Sequence, residues 1–353
     1  EWKFNQVAAE YLGEVIHQSL EPELEKIVFN RVYPFYAAVD VKDSSILRNK
    51  SYREDILQRV NFVASLIDRM KDRGVLSVDK TFVERFDEVN DWANGSNLEH
   101  YLLDILSFFQ EDVPNFLDKL EKAEPSIKAS LAQCRSKLQY SYEDMNSSNE
   151  SFERSLQKIN QVVKAEMNIF NAQVQEIFPS YFETFRTDGV EYDLYVGQSI
   201  SPRSIFKMSM LNQMRKEQII SIAKIGQKTH RLKTSLSIPL ETTQLIFIHP
   251  NPIDISFRED ERRFDVEGSY NIRYQIIKKR IDKALILNTT ERLVQPGHIA
   301  VVYSRSQIAR ELRVCLQEVA HMGLIEPHIE EVQLENLQGV SDLKAMRVKI
   351  VLK

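Results

Sequence analysis

The chain is poor in the features that mark specialised proteins. Its 353 residues include two cysteines, Cys134 and Cys315, each isolated in an apolar context. That excludes a disulfide framework and a zinc site, and it points to a reducing, cytoplasmic compartment. With only 10 Gly and 11 Pro, collagen and low-complexity linkers are excluded. No apolar run approaches the roughly 20 residues of a membrane span, so no membrane partner is expected. One of the longest runs, Ile299 to Tyr303, has the length of a buried strand. The phosphate-cradling patterns G-x-x-x-x-G-K-[ST] and G-x-G-x-x-G are missing, which excludes P-loop chemistry, and no G-x-S-x-G elbow offers a nucleophile. The histidines, His17, His100, His230, His249, His298, His321 and His328, never group at ligand spacing. No metal, no cofactor and no catalytic residue is therefore expected.

What is present is an ordinary globular composition, 43% hydrophobic and 27% charged, long enough for two domains. The net charge of -5 hides an asymmetry: residues 1–187 hold 22 basic and 31 acidic side chains, and residues 188–353 hold 24 and 20. Texture changes at the same place, in the turn-forming cluster Thr187, Asp188 and Gly189. The expected organisation is an antiparallel helical bundle over 1–187 followed by an α+β domain over 188–353 with a mixed, helix-covered sheet. The chain opens at Glu1 inside a helical pattern, without an initiator Met or a signal-peptide profile, so an upstream portion is expected.

In the first half, Tyr52, Ile56, Val60, Val63, Ile67 and Met70 recur at helical spacing. A longer stripe runs from Phe152 through Leu156, Ile159, Val163, Met167, Phe170 and Val174 to Ile177, close to the period of a straight helix. Shorter helices read at 82–93, 98–110, 113–122 and 126–143, the last with Cys134 inward. The segment 32–45, VYPFYAAVDVKDSS, breaks the pattern and reads as a short extended piece whose Ser44 or Ser45 caps the next helix.

In the second half, strands are expected at 192–200, 236–248, 253–257, 284–288 and 298–303. Ser201-Pro202 is expected to start a helix reaching Ile225, and Ser269 to cap another over 270–283. Ser304 and Gln307 form a capping-box pattern before a helix whose face carries Cys315. Two alternating strands around Val332 and Val348 are expected to pair, with acids opposite bases.

Two polar concentrations stand out. Arg203, Lys207, Arg215, Lys216, Lys224, Lys228, Arg231 and Lys233 face a single acid, Glu217, which suits a partner surface or, less well given the acidic total, a nucleic acid. Asp40, Asp43, Ser44 and Arg48, together with Arg262, Arg263, Glu267 and Arg273, form a candidate anion pocket. The piece VDVKDSS also resembles the first strand of nucleotidyl cyclases, whose Asp holds metal ions. Because a cyclase needs a second strand-borne Asp in a βα-repeating domain, and the following residues read as helix upon helix, that reading is set aside.

The strings YVGQSISP (195–202), PLETTQLIFIHPNPIDISFREDERRFDVEGSYNIRYQIIKKRIDKA (239–284), ERLVQPGHIAVVYS (291–304), LENLQGVSDLKAMRVKIVL (334–352) and YPFYAAVDVKDSSILRN (33–49) resemble the C-terminal region of a group of large, uncharacterised bacterial GAF-domain proteins. The resemblance implies an upstream GAF sensor domain and supplies no catalytic residues. The leading expectation is a non-enzymatic signalling region that relays a signal through protein–protein contacts or self-association, with the Phe152–Ile177 stripe as the transmitting element. The alternative is an enzyme of unrecognised type that uses an acid/Arg cleft for a nucleotide or other anion. A third reading is nucleic-acid binding through residues 203–233.

Overall fold

The computed structural model describes residues 2–16, 26–72, 80–95, 97–123, 128, 131–132, 135, 148–258, 263–267, 272–337 and 340–352. In chain order the main elements begin with α1 (Trp2–Ile16), β1 (Val28–Val41), α2 (Ser44–Asp72), α3 (Lys80–Asn94), α4 (Leu102–Ser107), α5 (Val113–Ala123) and α6 (Ser148–Ile177). They continue with β2 (Tyr181–Arg186), β3 (Val190–Val196), α7 (Met208–Leu232), β4 (Thr242–Ile248), β5 (Ile253–Arg258) and β6 (Arg263–Val266). The last are α8 (Ile272–Arg280), β7 (His298–Tyr303), α9 (Ser306–His321), β8 (Ile325–Gln333) and β9 (Lys344–Ile350). The chain forms two compact units, one of residues 1–42 and 156–353 and the other of 43–155.

The 43–155 unit is helical among its described residues. Ile56, Val60, Val63, Ile67 and Met70 of α2 join Phe82, Phe86 and Val89 of α3 in one buried cluster with Phe108 and Phe116. Tyr52, expected on the same face, is exposed. The Phe82 and Phe116 rings stack at 3.8 Å. Asp55 accepts hydrogen bonds from the backbone N–H groups of Ser148 (2.7 Å) and Asn149 (3.1 Å). These are free donors of the first turn of α6, where a carboxylate is also favoured by the helix dipole. The expected helix over 126–143, with Cys134, falls almost wholly outside the described residues.

The larger unit is built on one mixed sheet in the order β2-β3-β1-β4-β7-β9-β8, antiparallel except where β4 pairs β7, with β5 and β6 attached to the first part of β1. β1 changes partners within its length. Phe29 and Val32 pair with β5, whereas Tyr33–Val39 pair with β3 and Phe35–Val41 with β4. The change occurs at Arg31, whose φ of 55° breaks the extended run at a register shift. Its N–H donates to the Asp254 carboxylate at 2.7 Å, which compensates the lost ladder bond.

Strand alternation gives the sheet two faces. On one, Phe170 of α6 packs on Tyr192 (5.4 Å) and Phe182 (6.4 Å), and Gln218 of α7 donates to the Tyr192 hydroxyl at 2.9 Å. α7 comes so close that a Cβ on Gly226 would lie 2.3 Å from Ile350 Cδ1. The other face, with Tyr36, Tyr195, Leu245, Phe247, Ala300, Val302 and Ala345, shares its core with Phe264 of β6 and with Tyr274 and Ile277 of α8. The fold is α+β with a mixed sheet, as expected.

The helical bundle over 1–187 does not form. β1 is a central strand of the sheet, not a short connection, and the Phe152–Ile177 stripe places its later residues on the sheet. The expected boundary at Thr187–Gly189 is the turn of the β2–β3 hairpin. Ser201-Pro202 does not start a helix; α7 begins at Met208, after the turns of 198–204. Residues 284–288 contribute only isolated bridges at Leu285 and Ile286. The Ser304 capping box is not made, because α9 starts one residue later with Arg305 as its N-cap and no side-chain cap bond. β8 and β9 do pair acid against base, but as Glu330 opposite Arg347, with Arg347 largely buried and bonded to Glu330 at 2.6 Å. Ser269 lies outside the described residues.

Candidate functional site

The end of β1 brings carboxylates from three chain segments near one another. Asp40 is the penultimate residue of β1, and its side chain is on the same face as Tyr36. The β2–β3 hairpin is pressed against this strand end. A Cβ on Gly189 would lie 2.0 Å from the Val39 carbonyl oxygen and 2.7 Å from Asp40 Cα. Both obstacles are backbone, so only glycine fits there. The tight contact sets Asp188, the residue before it, beside Asp40. A third carboxylate, Asp282, comes from the short 3-10 turn Ile281–Lys283 that follows α8.

Burial holds the Asp40 carboxyl above the usual carboxylate range, and the charges of Asp282 and Asp188 push the same way. A hydrogen bond from the Val41 N–H at 2.9 Å and the Lys283 ammonium pull it back only in part. Burial likewise raises Asp282, with Glu191 adding to the effect and Lys283 opposing it. Asp40 and Asp282 thus share the Lys283 ammonium, and Asp188 adds its charge beside Asp40. A positive charge placed among them would be attracted strongly in this half-buried setting.

Deeper on the same face lies a second polar group. Asp193 of β3 and Lys278 of α8 form an ion pair whose side chains are 5% and 10% exposed. The Lys278 ammonium also lies 5.1 Å from the Tyr36 ring centre and 5.3 Å from that of Phe185. The Tyr274 hydroxyl donates to Asp193 at 3.3 Å, and the Tyr36 hydroxyl donates to Glu191 at 2.6 Å. Burial lifts the Asp193 carboxyl, and Lys278 offsets part of that. The Tyr36 phenol is raised by burial and by Glu191, so it stays protonated and acts as a donor.

The members of the expected anion pocket are distributed over both units. Asp40, Arg263 and Glu267 belong to the larger unit, whereas Asp43, Ser44 and Arg48 belong to the smaller one, where Arg48 donates to Glu153 at 3.0 Å and lies over Phe152. Glu267 pairs with Lys26, ahead of β1, and its N–H donates to Asp254, the residue bonded to Arg31. Arg31 and Asp40 are separated by nine residues of extended chain, about 30 Å at roughly 3.3 Å each, so Glu267 and Asp40 do not meet. Arg263 lies over the Phe185 ring at 5.5 Å. Arg262 and the side chain of Arg273 are outside what the structure describes. Among the described residues, no group of three or more His, Cys, Asp or Glu side chains converges tightly enough to hold a metal alone.

The basic stretch 203–233 is not a free face. Arg215 pairs with Glu311 at 3.2 Å, Lys216 with Glu318 at 2.6 Å, Lys233 with Glu241 at 2.6 Å, and Lys228 with the buried Glu166. Half of its eight cations are neutralised within the chain, which removes the motive for a nucleic-acid surface. Among the described residues, no helix is long and apolar enough to cross a membrane.

No family model matches the chain, and no curated protein does. Among solved structures it is similar to the guanylyl cyclase Cya2, at 12% identity and a TM-score of 0.32, over 60% of this chain and 84% of that one. It is also similar to the adenylyl cyclase CyaB from P. aeruginosa, at 11% identity and a TM-score of 0.31, over 55% of this chain and 82% of that one. The expectation of a non-enzymatic relay is corrected on the structure of this chain. Both neighbours are enzymes, although a likeness this low carries no argument of its own. The physical motive for the relay fails, because the helix cast as transmitter is built into the wall of the sheet through Phe170, Tyr192 and Phe182.

Proposed function

We propose that the larger unit is an enzyme acting on a polyphosphate anion such as a nucleoside triphosphate, with a divalent cation bridging Asp40 and Asp188 to the substrate. The observation that carries the reading is the seating of Gly189 on the backbone of Asp40, which brings the carboxylate of the β2–β3 turn close enough to that of β1 for its charge to disfavour ionised Asp40. Two carboxylates suit this role. Mg²⁺ keeps octahedral geometry and is commonly bound by one or two protein carboxylates plus substrate phosphates, not by a complete protein cage. Lys283 is placed to meet a phosphate oxygen as a point charge.

The reading retains the cleft-enzyme alternative but exchanges its members. Asp188, Asp282 and Lys283 replace Asp43, Arg48 and Glu267 around Asp40. The test is thermal unfolding with Mn²⁺ and a nucleoside triphosphate, together with assay of phosphate and pyrophosphate release. Saturating metal–nucleotide at about 100 times Kd should stabilise the wild type by about 2.7 kcal/mol. Asp40→Asn and Asp188→Asn should each lose that gain. A wild type that ignores metal and nucleotide, or variants that respond as fully as it does, would refute the proposal.

A further inference from the structure

A cavity of about 490 Å³ lies between α7 and α9 over the end of β4. This is within the range of about 300–1,000 Å³ typical of small-molecule sites. Its apolar wall is formed by Ile219 of α7, Ile248 of β4, and Ile308, Leu312 and Val314 of α9. Set into that wall is Arg215, with a side chain 13% exposed. A guanidinium has five N–H donors in a planar fork. Only Nη1 is engaged, by Glu311 at 3.2 Å and Asn212 at 3.5 Å, while Nε and Nη2 find no acceptor among the described residues. Burial lowers the Arg215 pKa, and the Glu311 carboxylate opposes the shift. Neither nitrogen is a buried donor without a partner, so both are open to solvent, and a ligand oxygen in the cavity would take the place of water there.

The charge of the lining selects the ligand further. Arg215 is balanced by Glu311 and Lys216 by Glu318, so the walls carry no net charge. An anion would bring an uncompensated charge into an apolar cavity; a neutral oxygen would not.

We infer that the α7–α9 cavity is a binding site for a small neutral molecule with an apolar body and a carbonyl oxygen, the oxygen accepting from Nε and Nη2 of Arg215. The site is separate from the Asp40 carboxylates and does not depend on what they bind. Cys315 lines the same cavity and gives a local reporter.

The experiment measures alkylation of Cys315 in the full chain at alkaline pH, resolved from Cys134 by peptide mass spectrometry, with 2-octanone or sodium octanoate as probe. The ketone should protect Cys315 saturably, and octanoate should require at least tenfold higher concentration. Arg215→Met should weaken protection by the ketone about ten- to hundredfold, the usual effect of losing hydrogen bonds to a charged group. Val314→Trp, at an exposed position on the rim, should block entry without touching the core. No protection up to the solubility limit of the ketone would overturn the inference. So would equal protection by octanoate, or full protection in either variant.

Discussion

Replacing Lys278 by Met tests the electrostatic interior directly. The substitution preserves the length and apolar stem of the side chain over the Tyr36 and Phe185 rings but leaves Asp193 without its cation. The two side chains are 5% and 10% exposed, so solvent cannot replace the lost partner. Breaking a buried pair in this way costs about 3–5 kcal/mol. At roughly 2–4 °C per kcal/mol for a unit of this size, Tm should fall by about 6–20 °C. The pH dependence carries a sign. Burial already raises the folded-state pKa of Asp193 above its unfolded value, so its contribution favours the folded state at low pH and is lost as pH rises through the folded pKa. Without Lys278 the folded pKa rises further, and that loss extends to higher pH. Urea unfolding at pH 5 and pH 7.5 should therefore show a larger deficit at the higher pH. A deficit below about 1 kcal/mol, or one equal at the two values, would refute the picture of a buried, mutually dependent pair.

Three further outcomes are expected. Asp282→Asn removes a carboxylate that disfavours ionised Asp40, so the Asp40 pKa should fall and stability at neutral pH should rise by a few tenths of a kcal/mol; carboxyl NMR titration and urea unfolding check both, and an unmoved Asp40 would exclude electrostatic contact. Gly189→Ala forces a Cβ onto the Val39 carbonyl and should cost about 1–3 kcal/mol by chemical denaturation, whereas a neutral result would mean that the hairpin is not seated on β1. Cys315, pushed up to about 11 by burial, should be about 0.1% thiolate at pH 8 and alkylate tenfold faster per pH unit until the thiol titrates; rapid labelling at pH 7 would contradict its placement.

Element identity was legible wherever a periodic pattern ran long. The stripe from Phe152 to Ile177 predicts α6, and the alternation around Val348 predicts β9. What those patterns cannot state is the partner each face meets, and the apolar positions of α6 serve a sheet as well as a bundle. The same limit hid the role of 32–45. Read beside the helical residues that follow it, a β-branched run resembles a connection, yet its ladder partners begin at Val190 and Thr242.

The candidate site was missed through one local misreading. Asp188-Gly189 between alternating runs is among the stronger short-range hairpin signals, and taking it as a domain boundary separated Asp188 from Asp40. Asp193, Lys278 and Asp282 gave no comparable signal. Each is an ordinary charged residue in sequence, and its pairing depends on how α8 and β6 lie across the sheet. The basic residues of 203–233 misled for a related reason, since Glu166, Glu311 and Glu318, which neutralise three of them, are distant in sequence.

The position of β1 has a consequence for biosynthesis. The strand leaves the ribosome early, but the first residues of β3 follow the end of β1 by about 150 positions, and β4 comes later still. At roughly 5–20 residues per second, an apolar strand with both edges unpaired waits about 8–30 s for its neighbours. Nascent chains arrested between residues 60 and 180 should therefore depend on chaperone cover for Phe35, Tyr36 and Val39. Chains long enough to expose β3 and β4 should not.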